Sequence, residues 1–231
     1  TGIAGGALPE PLNRRWSFRT EEGGFESTAA IDGGTVYVGC TDGNLYAFDL
    51  AGGEKKWAYT TELGFTAPIA ARDGRVYAAD ADGKVYCLLA TDGSLAWEFQ
   101  AEAEINSGPN FFTRAAGDTV VLVGDQSGLL FALGATSGEL VWQYQSPDQI
   151  RCSPAIAEGV TFIAGCDGRL HVVDCETGKE TASVELGDPT GSTPAVAGSS
   201  VYVGTEGNRF FAVDWKSGKV TWTFENRRRP A

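Results

Sequence analysis

The chain has 231 residues, and its 30 Asp and Glu against 18 Lys and Arg leave a formal net charge of −12. This surplus of carboxylates argues against a partner made of nucleic acid or an anionic membrane surface, because both present negative charge. No apolar run approaches the roughly 20 residues that a spanning helix needs, so we predict no membrane span in this chain.

Residues 1–14 are rich in Gly and Pro and lack periodicity, so we predict a flexible leader. The sequence contains no Met, and we therefore interpret Thr1 as the start of a processed product or of a fragment. At the other end, residues 227–231 are predicted to be a tail, with Arg227 to Arg229 in a solvated loop.

A short alternating strand begins at Trp16, and the same pattern returns at Trp57, Trp97, Trp142 and Trp222. Between consecutive members lie a small-residue strand, a β-rich strand and a third alternating strand. They are separated by Gly-containing turns, whose residues tolerate positive φ and favour short hairpins. The sequence therefore predicts four antiparallel strands per repeat and no helix.

An eleven-residue unit, with Ala first, Gly seventh and Trp eleventh, joins the third strand of each repeat to the fourth. It first spans residues 47–57 and recurs every 40 to 45 residues or so, roughly the spacing of propellers and solenoids. Ala182 stands where the fourth repeat would have its Trp, and Trp16 has no such Ala or Gly before it. The recurring residues are Ala47, Gly53, Trp57, Gly93, Trp97, Ala132, Gly138, Trp142, Gly178, Ala212, Gly218 and Trp222.

We predict an all-β propeller over residues 15–226, with five complete four-stranded blades and one extra N-terminal outer strand at Trp16. The approximate repeats are 21–60, 61–100, 101–145, 146–185 and 186–225. The extra strand would complete a blade that this chain does not otherwise supply. We therefore expect five blades of a larger ring with six to eight blades. A closed five-bladed ring and an oligomer formed through open blade edges are the alternatives.

The unit A-x-D-x-x-x-G-x-x-x-W, preceded by V-Y-V-G-x-x-D-G-x-L-Y, resembles the pyrroloquinoline-quinone-type propeller repeat over residues 15–224. Quinoprotein alcohol dehydrogenases, the outer-membrane assembly lipoprotein of the β-barrel machinery and bacterial sensor domains share that repeat. The resemblance implies that each Trp docks on the Ala and Gly of a neighbouring blade. It therefore implies a weak joint at Ala182 and the structural docking residues Trp16, Trp57, Trp97, Trp142 and Trp222.

The quinoprotein branch of this resemblance requires a stacked cofactor, Ca²⁺ ligands and two adjacent cysteines, but the sequence has no Cys-Cys pair. We interpret the five cysteines as buried small residues, with a Cys152–Cys166 disulfide left open. The single His, His171, occupies a slot held by aromatic residues elsewhere, so we interpret it as a packed ring. Three aspartates recur at one turn position and are interpreted as stabilising that turn: Asp49, Asp174 and Asp214. We find no catalytic set and predict no enzyme activity, cofactor or metal.

The loops that enter each first strand and the hairpins between second and third strands are expected to share one face. The candidate acidic residues of that face are Glu62, Glu102, Glu104, Asp148 and Asp188. The residues predicted to face a central channel are Glu26, Thr66, Asn106, Arg151 and Thr190.

Our hypothesis is a non-catalytic scaffold or protein-interaction module with a basic protein or peptide partner, within a larger extracytoplasmic bacterial protein. The alternatives are a fragment of a quinoprotein dehydrogenase and the ligand-sensing domain of a receptor kinase.

Overall fold

The computed structural model describes residues 13–226. Residues 1–12 of the predicted leader and the predicted tail at 227–231, with its three arginines, lie outside the described residues. The described part forms twenty β-strands in five four-stranded antiparallel sheets and contains no helix. This confirms the prediction of an all-β chain of four-stranded blades, which we label A to E in chain order.

Blade A comprises β1 (Ala30–Asp32), β2 (Thr35–Gly39), β3 (Asn44–Asp49) and β4 (Lys55–Thr60). Blade B comprises β5 (Ala70–Arg72), β6 (Arg75–Ala79), β7 (Lys84–Leu89) and β8 (Leu95–Gln100). Blade C comprises β9 (Asn110–Thr113), β10 (Thr119–Gly124), β11 (Leu129–Gly134) and β12 (Leu140–Gln145). Blade D comprises β13 (Ala155–Ala157), β14 (Val160–Ala164), β15 (Arg169–Asp174) and β16 (Glu180–Glu185). Blade E comprises β17 (Ala195–Ala197), β18 (Ser200–Gly204), β19 (Arg209–Asp214) and β20 (Lys219–Glu225).

Within each blade the strands follow one another in chain order, so every connection inside a blade is a hairpin. The first strands lie next to one another, since β1 contacts β5, and β13 contacts both β9 and β17. The first strand is therefore the inner strand of each blade and the fourth is the outer one.

The apolar core lies between the blades rather than within a single sheet. Four separate clusters of buried side chains occupy the joints A–B, B–C, C–D and D–E. Accordingly, β6, β10 and β14 of the middle blades are buried almost continuously, as expected for strands covered on both faces. In contrast, β2 and β18 alternate between buried and partly exposed residues, so blades A and E form the two ends of the array.

The structure differs from the prediction at the N-terminal segment. Residues 13–20 form no strand, because no neighbouring strand among the described residues pairs with their backbone. The aromatic side chains of this segment nevertheless pack on blade A, with ring centroids 5.9 Å apart for Trp16 and Phe48 and 4.7 Å apart for Phe18 and Phe48. The side chains of this segment therefore cover the face of blade A that points away from blade B.

Candidate interaction face and the joints that support it

Four tryptophans join neighbouring parts of the chain through the same hydrogen bond. The indole N–H of Trp57 on blade A donates to the carbonyl oxygen of Ala90 on blade B at 3.0 Å. The equivalent bonds, each 3.0 Å long, run from Trp16 to Leu50, from Trp97 to Ala135 and from Trp142 to Cys175. Each bond satisfies the polar atom of a large apolar side chain at the joint.

Four glycines of the eleven-residue unit are required for two independent reasons. Gly93 adopts φ 75°, a left-handed conformation that other residues rarely take. A Cβ atom at this position would also lie 2.6 Å from the ring of Trp57. Gly53, Gly138 and Gly178 combine positive φ with the same close approach of Trp16, Trp97 and Trp142.

The Ala of the unit has a different neighbour from the one that the resemblance implies. Ala47 lies directly opposite Trp57 of its own blade in the β3–β4 register, and it is fully buried. The small side chain therefore leaves room for the indole within one sheet. Ala132 and Ala212 stand opposite Trp142 and Trp222 in the same way.

The implied docking of Trp222 is wrong for the described residues. Its side chain is 47 % exposed on blade E, and the rings that it contacts, those of Tyr202 and Phe210, belong to its own blade. Conversely, Gly218 has no ring above it, and a Cβ atom there would meet nothing within 4 Å. Among the described residues, Trp222 thus has no glycine beneath its ring, and Gly218 has no tryptophan above it.

The D–E joint, expected to be weak at Ala182, is closed from the opposite side. In blades A and B the residue facing the unit's first position, Tyr37 or Tyr77, contacts the tryptophan of its own blade. In blade D the equivalent Phe162 instead contacts Trp215 of blade E, at a centroid distance of 5.3 Å. Trp215 and Ala182 pack against the same apolar cluster, so Trp215 supplies a ring to this joint without covering Gly218.

A salt bridge reinforces the same joint. Lys216 Nζ of blade E lies 2.7 Å from a carboxylate oxygen of Glu158 on the β13–β14 turn of blade D. The ammonium also lies 5.3 Å from the ring centroid of Trp215. Trp215 itself donates its N–H to the Gly198 carbonyl of its own blade at 3.3 Å.

The recurring aspartates bind backbone amides of turns. Asp49 accepts the N–H groups of Ala51 and Gly52, whereas Asp174 and Asp214 accept those of Thr177 and Ser217. These bonds keep the pKa of the Asp49 carboxyl below its usual value. Each carboxylate is therefore used by its own turn.

Two buried aspartates stabilise hairpins, a role that was not predicted from the sequence. Asp80 accepts the N–H groups of Asp82 and Lys84 and the hydroxyl of Tyr86, and it is only 4 % exposed. Asp125 supports the corresponding hairpin of blade C and is fully buried. Their signal in the sequence was a carboxylate immediately after a buried strand and two residues before the hairpin turn.

In blade A the equivalent hairpin is stabilised by Asp42. Burial by itself would raise the pKa of this carboxyl, but hydrogen bonds from Tyr46, the Asn44 amide and Thr20 lower it to about 2. Burial and the same carboxylate raise the pKa of Tyr46 to about 12. The bond from Thr20 ties the N-terminal segment to blade A.

His171 is buried in the C–D joint, but it is more than a packed ring. Its Nε2 lies 2.8 Å from Asp167, and its Nδ1 lies 2.7 Å from Glu180 and 3.1 Å from the hydroxyl of Tyr144 on blade C. Tyr144 thereby connects the outer strand of one blade to the third strand of the next.

The cysteines carry free thiols, including Cys152 and Cys166. Burial raises the pKa of the Cys152 thiol to about 11. Among residues 13–226, no group of three or more His, Cys, Asp or Glu side chains is arranged to hold a metal ion. The same residues contain no helix with the length and apolar character needed for a membrane crossing.

One face of the array is built from the hairpins between second and third strands and the loops that enter the inner strands. In blade A the Thr41 N–H donates to the Gly24 carbonyl at 2.9 Å, and in blade C the backbone N–H of Gln126 donates to the backbone carbonyl of Glu104 at 2.9 Å. Blades B, D and E repeat this hairpin-to-loop bond. We call the surface formed by these hairpins and loops the hairpin face.

The predicted acidic residues lie in the loops of the hairpin face, but they differ in their pairing. Glu62, Glu102 and Asp148 are exposed, and within the described residues none of them pairs with a Lys or Arg. Asp188 forms a salt bridge with Arg209, and Glu104 accepts a hydrogen bond from the Gln126 side chain at 2.7 Å. Among the described residues, only Asp188 therefore has a cationic partner, and three of the other four candidates are exposed.

A protein-family model described as outer membrane protein assembly factor BamB matches residues 13–153 and 145–231. Among solved structures, BamB from Moraxella catarrhalis is 18 % identical with a TM-score of 0.74, over 87 % of this chain and 65 % of that chain. The computationally designed Ika8 protein is 17 % identical with a TM-score of 0.76, over 87 % of this chain and 62 % of that chain. No curated protein sequence matches the chain.

These structural likenesses concern the fold, and the chain spans less than two thirds of the length of either solved structure. The family match, in contrast, includes all five blades and the docking segment at Trp16. The chain therefore belongs to the BamB family of pyrroloquinoline-quinone-type β-propellers.

Proposed function

We propose that this chain is a non-catalytic protein-interaction propeller that acts outside the cytoplasm as part of a scaffold for outer-membrane protein assembly. The observation that carries this proposal is the hairpin face with its exposed, unpaired Glu62, Glu102 and Asp148. The name of the matching family supports the assembly role. The buried aspartates and the turn aspartates accept hydrogen bonds from backbone amides, so we assign them a structural role rather than a catalytic one.

The partner proposed for this face is a basic protein segment. Glu62 borders a pocket of about 290 Å³ between blades A and B, whose lining also includes Asp82 and Glu98. Lys84 is the one cation of that lining, and its Nζ lies 3.8 Å from Glu98. Like charges held on one face favour a partner of opposite charge and accelerate its association.

We further propose that the five blades belong to a larger ring. Blades A and E each leave one apolar face without a neighbouring blade among the described residues, and Trp222 and Phe224 are exposed at 47 % and 60 %. A stretch covering 65 % of one solved structure and 62 % of another is close to the five eighths that five blades of an eight-bladed ring would cover. A further blade on the E side would cover the unpaired indole of Trp222.

Charge reversal tests the interaction role. The triple variant Glu62→Lys, Glu102→Lys and Asp148→Lys is compared with the unmodified chain by fluorescence anisotropy, using a labelled peptide of alternating Lys and Ala. We expect Kd in 25 mM NaCl to rise about 10-fold or more and this difference to shrink in 300 mM NaCl, because salt screens exposed charges.

The matched control makes the same charge change on the opposite face. Asp32, Glu54 and Glu139 are exposed on the turns at the other end of the blades, and they are replaced by Lys together. Equal weakening by both triple variants would mean that only the net charge attracts the peptide. That result would contradict the assignment of the hairpin face.

A further inference from the structure

A groove of about 700 Å³ runs across the starts of the inner strands of blades B to E. Four prolines line it, one from each blade, together with apolar side chains and small residues. The residues that define its wall are Pro68, Pro109, Pro154, Pro194, Ile156 and Val196. No charged side chain takes part in this lining. The volume falls within the range of sites that bind small molecules or short peptides, about 300–1,000 Å³.

The groove is lined by different residues from those that the sequence predicted for a channel. Thr190, one of the predicted residues, is buried and donates its hydroxyl to the Gly204 carbonyl at 2.6 Å. The lining residues come two to six positions later along the chain, after the loop has turned into the inner strand. Only the fold reveals where that turn occurs.

Hydrogen bonds between blades hold the groove in shape. The Gly108 N–H donates to Ser153 Oγ at 2.8 Å, and the Ser153 N–H donates to Thr193 Oγ1 at 3.1 Å. The Asn110 side-chain amide donates to the Pro154 carbonyl at 2.8 Å. Because these bonds connect blade C to D and D to E, the wall is already ordered before a ligand arrives. Such preorganisation lowers the entropy cost of binding.

The polar atoms of the wall suit a peptide backbone. The hydroxyls of Ser153 and Thr193 each accept a backbone N–H, which leaves their own hydrogens able to donate to a carbonyl of a bound chain. The prolines have no N–H group, so they add apolar surface without a competing donor. Small residues such as Gly108 and Ala195 allow a backbone to approach closely.

The charges around the groove define the rest of the ligand. The loops that carry Glu62, Glu102 and Asp148 lead directly into the inner strands whose first residues form the groove. The uncharged wall and the exposed carboxylates therefore lie on the same face. A ligand that matches both has an uncharged centre and basic ends.

We propose that this groove binds an extended peptide segment with a small apolar centre and Lys or Arg at both ends. The proposal rests on the proposed function, and it specifies the part of the partner that the hairpin face recognises. The centre lies against the prolines and donates and accepts through its backbone, whereas the basic ends meet the carboxylates.

The test uses the 231-residue chain and a fluorescein-labelled peptide of sequence KKAVAVAKK, with anisotropy as the readout. The variant Ala195→Trp fills the groove from an exposed position on β17. We expect its Kd to rise at least 10-fold, in 300 mM NaCl as well as in 25 mM NaCl, because the loss is steric. The control Ala197→Trp adds the same side chain at an exposed position on the same strand outside the groove, and its Kd is expected to change less than 2-fold.

A second variant and two further peptides test the groove proposal independently of Ala195→Trp. Ala195→Lys places a positive charge in the groove, and we expect it to weaken binding of KKAVAVAKK even if the Trp variant misfolds, because it blocks the apolar centre and repels the basic ends. The peptide KKAVDVAKK, with a charged centre, is expected to bind at least 10-fold more weakly, as is EEAVAVAEE with acidic ends. Equal binding of KKAVAVAKK and KKAVDVAKK, or unchanged binding to both Ala195 variants, would overturn the groove proposal while the charge-reversal result could still stand.

A second copy of the chain is the other occupant to test. Sedimentation of the unmodified chain without peptide is expected to show no association that Ala195→Trp abolishes. An assembly that this substitution dissociates would mean that the groove binds another copy, and the peptide proposal would be wrong.

Discussion

The A–B and D–E joints each contain a tryptophan ring, but the two rings come from opposite sides of the joint. At A–B the ring comes from the outer strand of the first blade, where Trp57 packs beside Tyr37 and covers Gly93 of the next blade. At D–E that position is Ala182, and Trp215 extends backward from the second blade to contact Phe162. Either blade can therefore supply a ring to the joint, but only the ring from the outer strand covers the glycine of the next blade, because Gly218 stays uncovered among the described residues.

The ends of the array give a matched contrast to these joints. Trp97 is 8 % exposed and has a glycine beneath its ring, whereas Trp222 occupies the same register position and is 47 % exposed. The same residue type therefore contributes to the core or stands in solvent, depending only on whether a neighbouring blade is present.

The largest expected effect is that of removing a covered ring. We expect Trp97→Ala to lower the free energy of unfolding by about 3–5 kcal/mol, since it creates a cavity and removes the bond to the Ala135 carbonyl. Trp222→Ala is the control and should cost less than about 1 kcal/mol. Urea unfolding followed by circular dichroism measures both. Similar losses would show that Trp222 is already covered in solution, for example by a second copy.

The next effect separates the two requirements for glycine. Gly93→Ala meets both the positive φ and the ring of Trp57, so we expect a loss of about 2–3 kcal/mol. Gly218→Ala meets only the positive φ of 68° and should cost about 1 kcal/mol. The difference between the two unfolding free energies measures the docking contact. If it vanishes, the glycine is needed for its backbone conformation alone.

A swap at the D–E joint tests whether the two tryptophan positions are equivalent. Trp215→Ala is expected to cost about 1–2 kcal/mol, because the half-buried ring leaves the contact with Phe162. Adding Ala182→Trp should recover at least half of that loss, since the ring returns to the position used at A–B. Thermal unfolding of the single and double variants gives the comparison. No recovery would mean that Trp215 stabilises blade E by itself rather than the joint.

The smallest effect concerns pH at the N-terminal end. The pKa of Asp42 falls from 3.8 to about 2 in the folded state, so its contribution is present above pH 3.8 and is lost as pH falls toward 2. We expect Asp42→Asn to flatten the dependence of unfolding free energy on pH between 4 and 2. Asp82→Asn, at the equivalent hairpin position of blade B, is the control because the hairpin there is held by Asp80. Equal slopes in all three proteins would contradict the role of Asp42.

Much of the fold could be predicted from the sequence because every repeat contains nearly the same local pattern. Alternating strands, positive-φ turn residues and a Trp at a constant distance from a Gly predict four-stranded blades in each copy. The prediction of a strand at Trp16 was wrong for a reason that lies outside these residues. A strand also needs a partner for its backbone hydrogen bonds, and none is present among the described residues.

The candidate site was less accessible to sequence reasoning. The acidic loops could be assigned to one face from strand order, but the pairing of Asp188 with Arg209 depends on how two segments 21 residues apart meet. The groove could not be predicted from the sequence, because its wall combines two to four residues from each of four blades, and these come together only in the folded chain.

By itself, the sequence determined the blade unit, its glycine and aspartate turns and the acidic character of the hairpin face. Each of these depends on local backbone conformation or on composition. The tertiary structure alone decided that Trp215 supplies a ring to the joint where Ala182 has none, that Trp222 stays uncovered and that an uncharged groove crosses four blades. These features depend on the volume between neighbouring sheets, which no single repeat contains.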